Sequence, residues 1–124
     1  MENAADPRAL LSRSAKMTLF VMLRRTLDQK LLRENIGAHL RWMVDAEKRG
    51  RIFLSGPVAG REGATQLDGL TLIRAANLDE AEELAATDPF VKLGAIEYEI
   101  REWTANEGAI SMTVTLSDST VTFT

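Results

Sequence analysis

The 124-residue sequence predicts an α+β fold, in which four strands of an antiparallel sheet and two helices follow in the order βαββαβ. Three observations support this prediction. The strand segments are rich in β-forming or alternating residues, two segments carry apolar residues at helical spacing, and glycine or proline separates several of these elements. A chain of this length suits one domain with its own hydrophobic core.

The first predicted strand runs from Met17 to Arg25 and is apolar on both faces. Successive side chains of a strand point to opposite faces, so Phe20 and Met22 share one face. The other face carries Leu19, Val21 and Leu23. We therefore expect this strand to be covered on both sides. The polar segment before it, residues 1–16, is predicted to be a loose extension with a turn of helix around Leu10.

The first helix is predicted over residues 31–49 and contains His39, the only histidine of the chain. Gly50 follows the last turn as a helix stop, and Arg49 suits the negative end of the helix dipole. Apolar residues recur at intervals of three and four on one face, at Leu32, Ile36, Leu40, Met43 and Val44. A short strand over 51–55 and a glycine-rich loop over 56–68 follow.

The second half supplies the remaining strands and the second helix. A strand over 69–76 leads to a helix that begins at Asn77 or Asp79 and ends near Thr87, because Pro89 disfavours helical geometry at the preceding residue. Residues 90–94 are predicted to form an irregular turn. The fourth strand, 95–103, alternates cleanly, and residues 110–124 are predicted to add one or two strands.

This element order is that of a ferredoxin-like fold, with both helices on one face of the sheet. The first strand is apolar on both faces, so the uncovered face of the sheet needs a cover as well. Two copies packed sheet to sheet would provide it. We therefore expect a homodimer with a barrel-like core.

Composition excludes several classes of function. A net charge of −3 gives no electrostatic basis for binding nucleic acid or anionic membranes. The absence of cysteine excludes disulfides and thiolate chemistry and fits a reducing compartment. No apolar run could span a bilayer, and the N-terminal segment does not resemble a secretory signal. We expect a cytoplasmic protein without nucleic-acid or membrane partners.

Four short motifs carry a family resemblance: AHLRWM around His39, GRIFLSGP, TDPF, and a Glu-rich closing strand ending in Trp103. In this order they resemble the YCII-related family of the dimeric α+β barrel superfamily, over residues 17–103. Residues 1–16 and 104–124 lie outside the resemblance. The resemblance implies that His39 and Asp88 form the active-site pair. It also places Gly56 and Pro57 in the Gly-Pro turn of the family.

The resemblance implies chemistry without a metal or an organic cofactor, since one member with an assigned activity acts on chlorinated hydroxyhydroquinones in this way. The candidate substrate-binding residues are Ser55, Gly56, Pro57 and Phe90. A histidine oriented by a carboxylate suits proton transfer near neutral pH. From the residues alone, His39 is more typical of a structural histidine at a helix edge and Asp88 of a helix terminator; the resemblance favours the active-site pair instead.

Other candidate sites are weaker. The glycines at 56, 60 and 63 are not followed by the GK[ST] sequence of a phosphate-binding loop. One histidine, no cysteine and no calcium-loop motif give no metal site. Related barrel families use a histidine as a haem ligand, but in longer chains. Four arginines could bind an anionic substrate, although most of them are more typical of solvated surface: Arg24, Arg25, Arg61 and Arg74. Trp42 and Trp103 are interpreted as packing or dimer-contact residues.

Two functional hypotheses follow. The first is a small cofactor-independent lyase or isomerase of a cyclic or enolisable compound, with His39 as acid/base and Asp88 orienting it. The second is a non-catalytic ligand-binding or interaction module that uses the same scaffold. The enzyme requires His39 and Asp88 within hydrogen-bond reach beside a pocket, whereas the module does not.

Overall fold

A computed structural model describes residues 6–13, 15–60 and 68–123. The chain divides into two compact units, Thr18–Thr104 and a smaller one formed by Met1–Met17 with Ala105–Thr124. The larger unit follows the predicted βαββαβ order, with one additional short helix. Its elements are β1 (Met17–Thr26), α2 (Gln29–Lys48), β2 (Ile52–Val58), β3 (Asp68–Ile73), α3 (Leu78–Ala86), α4 (Pro89–Lys92) and β4 (Ile96–Ala105); α1 (Pro7–Arg13) precedes them.

The four strands form one sheet in the order β2-β3-β1-β4, which is the strand order of a ferredoxin-like fold. β3 pairs antiparallel with both β1 and β2, and Met22, Thr71 and Ser55 lie side by side across these three strands. β2 extends three residues beyond the predicted end at Ser55. Part of the predicted loop that follows it, including Arg61 and Gly63, lies outside the described residues.

Both long helices begin at side-chain caps. Asp28 accepts a hydrogen bond from the backbone N–H of Leu31 at the start of α2, and Asn77 accepts one from that of Glu80 at the start of α3. Gly50 follows α2 with a φ of +74°, a conformation that glycine adopts without strain. The predicted stop at Gly50 and the predicted cap at Asn77 agree with these contacts.

The apolar face predicted for α2 is only partly correct. Its buried residues are His39 and Ala46, whereas Ile36, Leu40 and Val44 are each about half exposed. Leu32 and Met43 pack against the core as predicted and also border a cavity. Ile36 and Leu40 line the same cavity without packing into the core. The spacing therefore identified the inward face without distinguishing a filled core from an open pocket.

The predicted irregular turn at residues 90–94 is wrong, because α4 forms a single helical turn there. Asp88 caps this turn, and Pro89 occupies its first position, where the missing N–H of proline costs nothing. Proline thus ends α3 and begins α4. As a result, the backbone N–H of Phe90 in α4 holds the Asp88 side chain in place by a hydrogen bond.

The core lies between the helices and one face of the sheet. It contains residues of all four strands and of α2, α3 and α4: Phe20, Met22, Ala46, Ile52, Ile73, Ala81, Leu84, Ala85, Phe90, Ala95, Ile96 and Ile100. By strand alternation the opposite face carries Leu23 and its neighbour Leu70, and Leu54 beside Leu72. Leu23 is 43% exposed and Leu54 62% exposed. The sheet therefore has apolar residues on both faces, as predicted for β1.

The smaller unit contains α1 and a two-stranded antiparallel hairpin. The hairpin strands are β5 (Met112–Thr115) and β6 (Thr120–Phe123), with Met112 opposite Phe123 and Val114 opposite Val121. Both predictions for these extensions, a turn of helix around Leu10 and strands in the tail, agree with this. No helix within the described part of the chain is long and apolar enough to cross a membrane.

Candidate functional site

His39 and Asp88 are in direct contact in the interior of the larger unit. The distance from His39 Nδ1 to Asp88 Oδ1 is 2.9 Å, and the two residues are 7% and 0% exposed. An ionised carboxylate only accepts hydrogen bonds, so the proton on Nδ1 is the one donated to Asp88. The ring is thereby held in the tautomer that leaves Nε2 available to a ligand as a base.

The position of Asp88 is set by a second hydrogen bond. Its Oδ1 also accepts from the backbone N–H of Phe90 at 3.0 Å, which is the capping bond of α4. Its Oδ2 is buried and has no hydrogen-bond partner among the described residues. One oxygen therefore carries both bonds, and rotation of the carboxylate would break the helix cap as well as the contact with His39.

The imidazole ring is also fixed by packing. It stacks on the ring of Phe90 with centroids 4.1 Å apart and planes 7° apart, and lies 6.1 Å from the ring of Trp42. Trp42 donates from Nε1 to Thr87 Oγ1 at 2.8 Å, which links α2 to the residue before Asp88. His39 is therefore enclosed between α2 and α4 and does not lie at an exposed helix edge.

A cavity of about 450 Å³ opens beside His39, a size typical of small-molecule sites. It is lined by α2, by strands β1 to β4 and by α4, through Arg24, Thr26, Leu32, Ile36, His39, Leu40, Met43, Ser55, Gly56, Pro57, Gly69, Phe90 and Ile96. Five of the six site residues expected from the sequence are among these. The sixth, Asp88, is not a lining residue but contacts His39 from within the core.

One cavity residue was not singled out from the sequence. Arg24 is one of four arginines that could bind an anion, most of them interpreted as solvated surface, and it is 9% exposed. Its Nη2 lies 3.5 Å from Ser55 Oγ, and that hydroxyl lies 2.7 Å from Thr71 Oγ1. The available signal was strand alternation, because Arg24 shares the inward face of β1 with Phe20 and Met22. By contrast, Arg25 is exposed and pairs with Glu97.

The described residues contain no cluster of three or more histidine and carboxylate side chains that could bind a metal ion. The side chains that can transfer protons or bind charge in the cavity are His39 and Arg24, with Ser55 and Thr26 as hydroxyl groups. This arrangement can move a proton and bind an anion using protein groups alone.

The sequence matches the family model described as the YCII-related domain over residues 18–104. The chain belongs to the YCII-related family. It is 34% identical over 77 residues to the uncharacterized protein YjpA of Bacillus subtilis (strain 168), covering 60% of this chain and 82% of YjpA. The family resemblance predicted from the four motifs is confirmed.

A solved structure with the same fold is 5-chloro-2-hydroxyhydroquinone dehydrochlorinase (TftG) from Burkholderia phenoliruptrix AC1100, in complex with 2,5-dihydroxybenzoquinone. The match has a TM-score of 0.58 and 24% sequence identity, and covers 68% of this chain and 92% of TftG. The similarity shows that this YCII-related chain shares the α+β fold of a protein that binds a small ring compound.

Proposed function

We propose that this YCII-related protein is a cofactor-independent enzyme, a lyase or isomerase acting on a small cyclic or enolisable compound. The observation that carries the proposal is the buried contact between His39 and Asp88 at the wall of a cavity. Burying a histidine and a carboxylate together is costly unless the pair is well hydrogen-bonded. Proton transfer gives a reason to retain such a pair next to an open space.

In the proposed reaction His39 acts as the acid and base. Its Nε2 removes a proton from a hydroxyl or an acidic C–H group, and the electron pair left behind moves into the conjugated system of the substrate. In a lyase acting on a hydroxylated ring, His39 returns this proton to the ring carbon that bears the leaving group, which gives the keto tautomer. A second deprotonation of a hydroxyl by His39 then expels the leaving group with its bonding electrons, and that proton passes to solvent. In an isomerase another atom of the substrate takes the proton back from His39. Asp88 holds the ring and stabilises the imidazolium that forms.

The proposed substrate is a single-ring compound bound against the Phe90 ring and residues 55–57 of β2, which pair with β3 and do not form the expected Gly-Pro turn. The cavity volume accommodates one ring with its substituents. TftG, which shares the fold, is described as acting on a chlorinated hydroxyhydroquinone. We propose that hydroxylated rings with a leaving group are the first substrates to examine, and that the activity belongs to residues 17–103.

The test is turnover of 5-chloro-2-hydroxyhydroquinone, followed by release of chloride. We expect His39→Gln to lower kcat at least 100-fold. Asp45→Asn is the matched control, because Asp45 is exposed on the same helix and pairs with Arg49; it should retain full activity. Rates that are equal in wild type and His39→Gln would contradict the proposal.

The second candidate function is a ligand-binding module without catalysis. It is favoured by the mostly apolar lining of the cavity, in which Leu32, Ile36, Leu40 and Met43 form one wall. Binding of ring compounds without turnover, and with the same affinity in His39→Gln, would select this alternative. Calorimetric titration combined with product analysis separates the two.

We also propose that the protein is a homodimer formed through the sheet face that carries Leu23 and Leu54, and that it is cytoplasmic. Leu23 and Leu54 are exposed on this face, and a two-fold axis would match the face with itself. Leu54→Arg should convert the dimer to a monomer in analytical ultracentrifugation. Leu78→Arg, an exposed apolar position at the start of α3, is the control. A monomeric wild type would refute the dimer.

A further inference from the structure

Arg24 is a buried cation that forms no ion pair with another described residue. It is 9% exposed, and its Nη1 is buried and makes no hydrogen bond in the described part of the chain. Among the described residues, its side chain makes a 3.5 Å contact from Nη2 to Ser55 Oγ. A buried charged group normally has full hydrogen-bonding partners, because its desolvation is otherwise uncompensated. The described residues do not supply this partner, and a ligand bound in the cavity that Arg24 lines would supply it.

The space occupied by the guanidinium group depends on Gly69. A Cβ atom at this position would lie 2.5 Å from Arg24 Nε and 2.6 Å from Nη2. Gly69 faces Arg24 across the β1–β3 pairing and borders the same cavity. No larger residue fits at 69 while Arg24 keeps this position, so the backbone of β3 forms the surface on which the guanidinium rests.

The electrostatic surroundings of Arg24 connect it to the proposed catalytic pair. Burial lowers the pKa of the Arg24 guanidinium, and the negative charge of Asp88 partly offsets this. Arginine remains protonated in proteins, so the cavity holds a permanent positive charge. Asp88 forms its hydrogen bonds to His39 and Phe90 and forms no ion pair with Arg24.

We propose that Arg24 is a specificity-determining residue that binds a negatively charged oxygen of the ligand, so that the cavity selects phenolates, enolates and related oxyanions. The inference rests on the proposed use of this cavity as the substrate site. When a bound hydroxyl gives its proton to His39, two pairs of opposite charge result: His39 with Asp88, and the ligand oxyanion with Arg24. Arg24 thus stabilises the conjugate base that the proposed proton transfer produces.

The test compares an anionic ligand with a neutral ligand of the same shape. The probe is 2,5-dihydroxybenzoquinone, a vinylogous acid that is ionised at neutral pH, and the neutral probe is its diamino analogue. Dissociation constants are measured by calorimetry at pH 7 for wild type, Arg24→Gln and Arg24→Lys. The matched control is Arg25→Gln, the neighbouring arginine, which is exposed and pairs with Glu97.

We expect Arg24→Gln to weaken binding of the anion about 10- to 100-fold, the range for a hydrogen bond to a charged group, and binding of the neutral probe less than about 3-fold. Arg24→Lys should recover part of the loss, because it restores the charge but not the planar donor geometry. Arg25→Gln should bind both probes as the wild type does.

Gly69→Ala is an independent variant that changes the position of the Arg24 guanidinium without replacing Arg24 itself. The new methyl group displaces the guanidinium, which is the flexible end of its side chain, so the fold persists and anion binding weakens. Circular dichroism verifies folding, and Gly69→Ala with Arg24→Lys decides the outcome if Arg24→Gln does not fold.

The inference is overturned if these variants weaken both probes equally, or neither. His39→Gln separates this result from the proposed function. If His39→Gln loses turnover but still binds the anionic probe more tightly than the neutral probe, and this difference depends on Arg24, both proposals are supported. An anion preference in a protein that turns over no substrate supports the anion site and rejects the enzyme.

Discussion

Asp88→Asn tests whether the carboxylate charge orients His39. Asparagine has nearly the same shape, and its oxygen can still accept from the Phe90 N–H and from His39 Nδ1. Its amide NH2 group would then occupy the position of Oδ2, which is buried and has no partner among the described residues. The variant therefore exchanges a charged acceptor for a neutral one and adds buried donors with nothing to bind.

The expected loss of stability is a sum of two parts. A hydrogen bond to a charged group is worth about 1.5–3 kcal/mol and a neutral one about 0.5–1.5 kcal/mol, so the bond to His39 weakens by about 1 kcal/mol. The unsatisfied amide costs a further 1–3 kcal/mol, roughly. The free energy of unfolding should fall by about 2–4 kcal/mol, which lowers Tm by about 10 °C in a domain of this size.

The assay combines urea denaturation with ¹⁵N NMR of the imidazole. His39 is the only histidine, so its ring nitrogens need no assignment. In the wild type at neutral pH we expect the proton of the neutral ring on Nδ1. In Asp88→Asn the amide can also turn and donate to Nδ1, so a population with the proton on Nε2 should appear.

Two comparisons complete this experiment. Asp88→Ala should lose about 1 kcal/mol more than Asp88→Asn, because it also removes the cap of α4. Asp45→Asn, in an exposed pair on the same helix, should change stability by less than about 0.5 kcal/mol. The reasoning is refuted if Asp88→Asn loses no more than Asp45→Asn and leaves the tautomer unchanged.

Three further predictions concern the surroundings of the site. Phe90→Leu should lower the free energy of unfolding by about 1–2 kcal/mol in urea denaturation, because the ring stacked on His39 at 4.1 Å is lost. Trp42→Phe should lower it by about 1 kcal/mol, since the hydrogen bond to Thr87 disappears; no change would show that this bond is replaced by water. Burial, together with the bond to the Glu82 carboxylate, raises the pKa of Tyr98, the only tyrosine. The folded pKa is the higher one, so this contribution to stability is complete below about pH 10 and is lost as pH rises through the folded pKa. Glu82→Gln should shift the tyrosinate absorbance to lower pH, and an unchanged titration would contradict the assigned role of Glu82.

The order of the elements was predictable because each boundary has a local chemical cause. Asp28, Asn77 and Gly50 act on backbone groups within four residues of themselves. The extent of β2 was not predictable in the same way, because it is set by pairing with β3, a segment more than ten residues away in sequence. The helical turn α4 was missed because proline was treated only as the end of one helix and not as the beginning of another.

The contact between His39 and Asp88 could not be derived from spacing. The two residues are 49 positions apart, and His39 lies within α2 whereas Asp88 caps α4, so no local period relates them. Their pairing was anticipated only through the resemblance to YCII-related proteins. Arg24 shows the opposite case, because strand alternation already placed it on the inward face of β1, although its charge alone did not distinguish it from the surface arginines.

The half-exposed residues of α2 link the fold to the proposed function. Ile36 is 45% exposed and Leu40 52% exposed, although the helix turns this face inward. A well-packed core would bury them and gain stability from each. The protein leaves this face open, beside a buried arginine whose guanidinium is not fully paired and a histidine fixed in one orientation. The first two features lower the stability of the unliganded protein, and a bound ring with a charged oxygen would compensate for both at once. The enzyme and the binding-module hypotheses share this requirement, and only the oriented His39 distinguishes them.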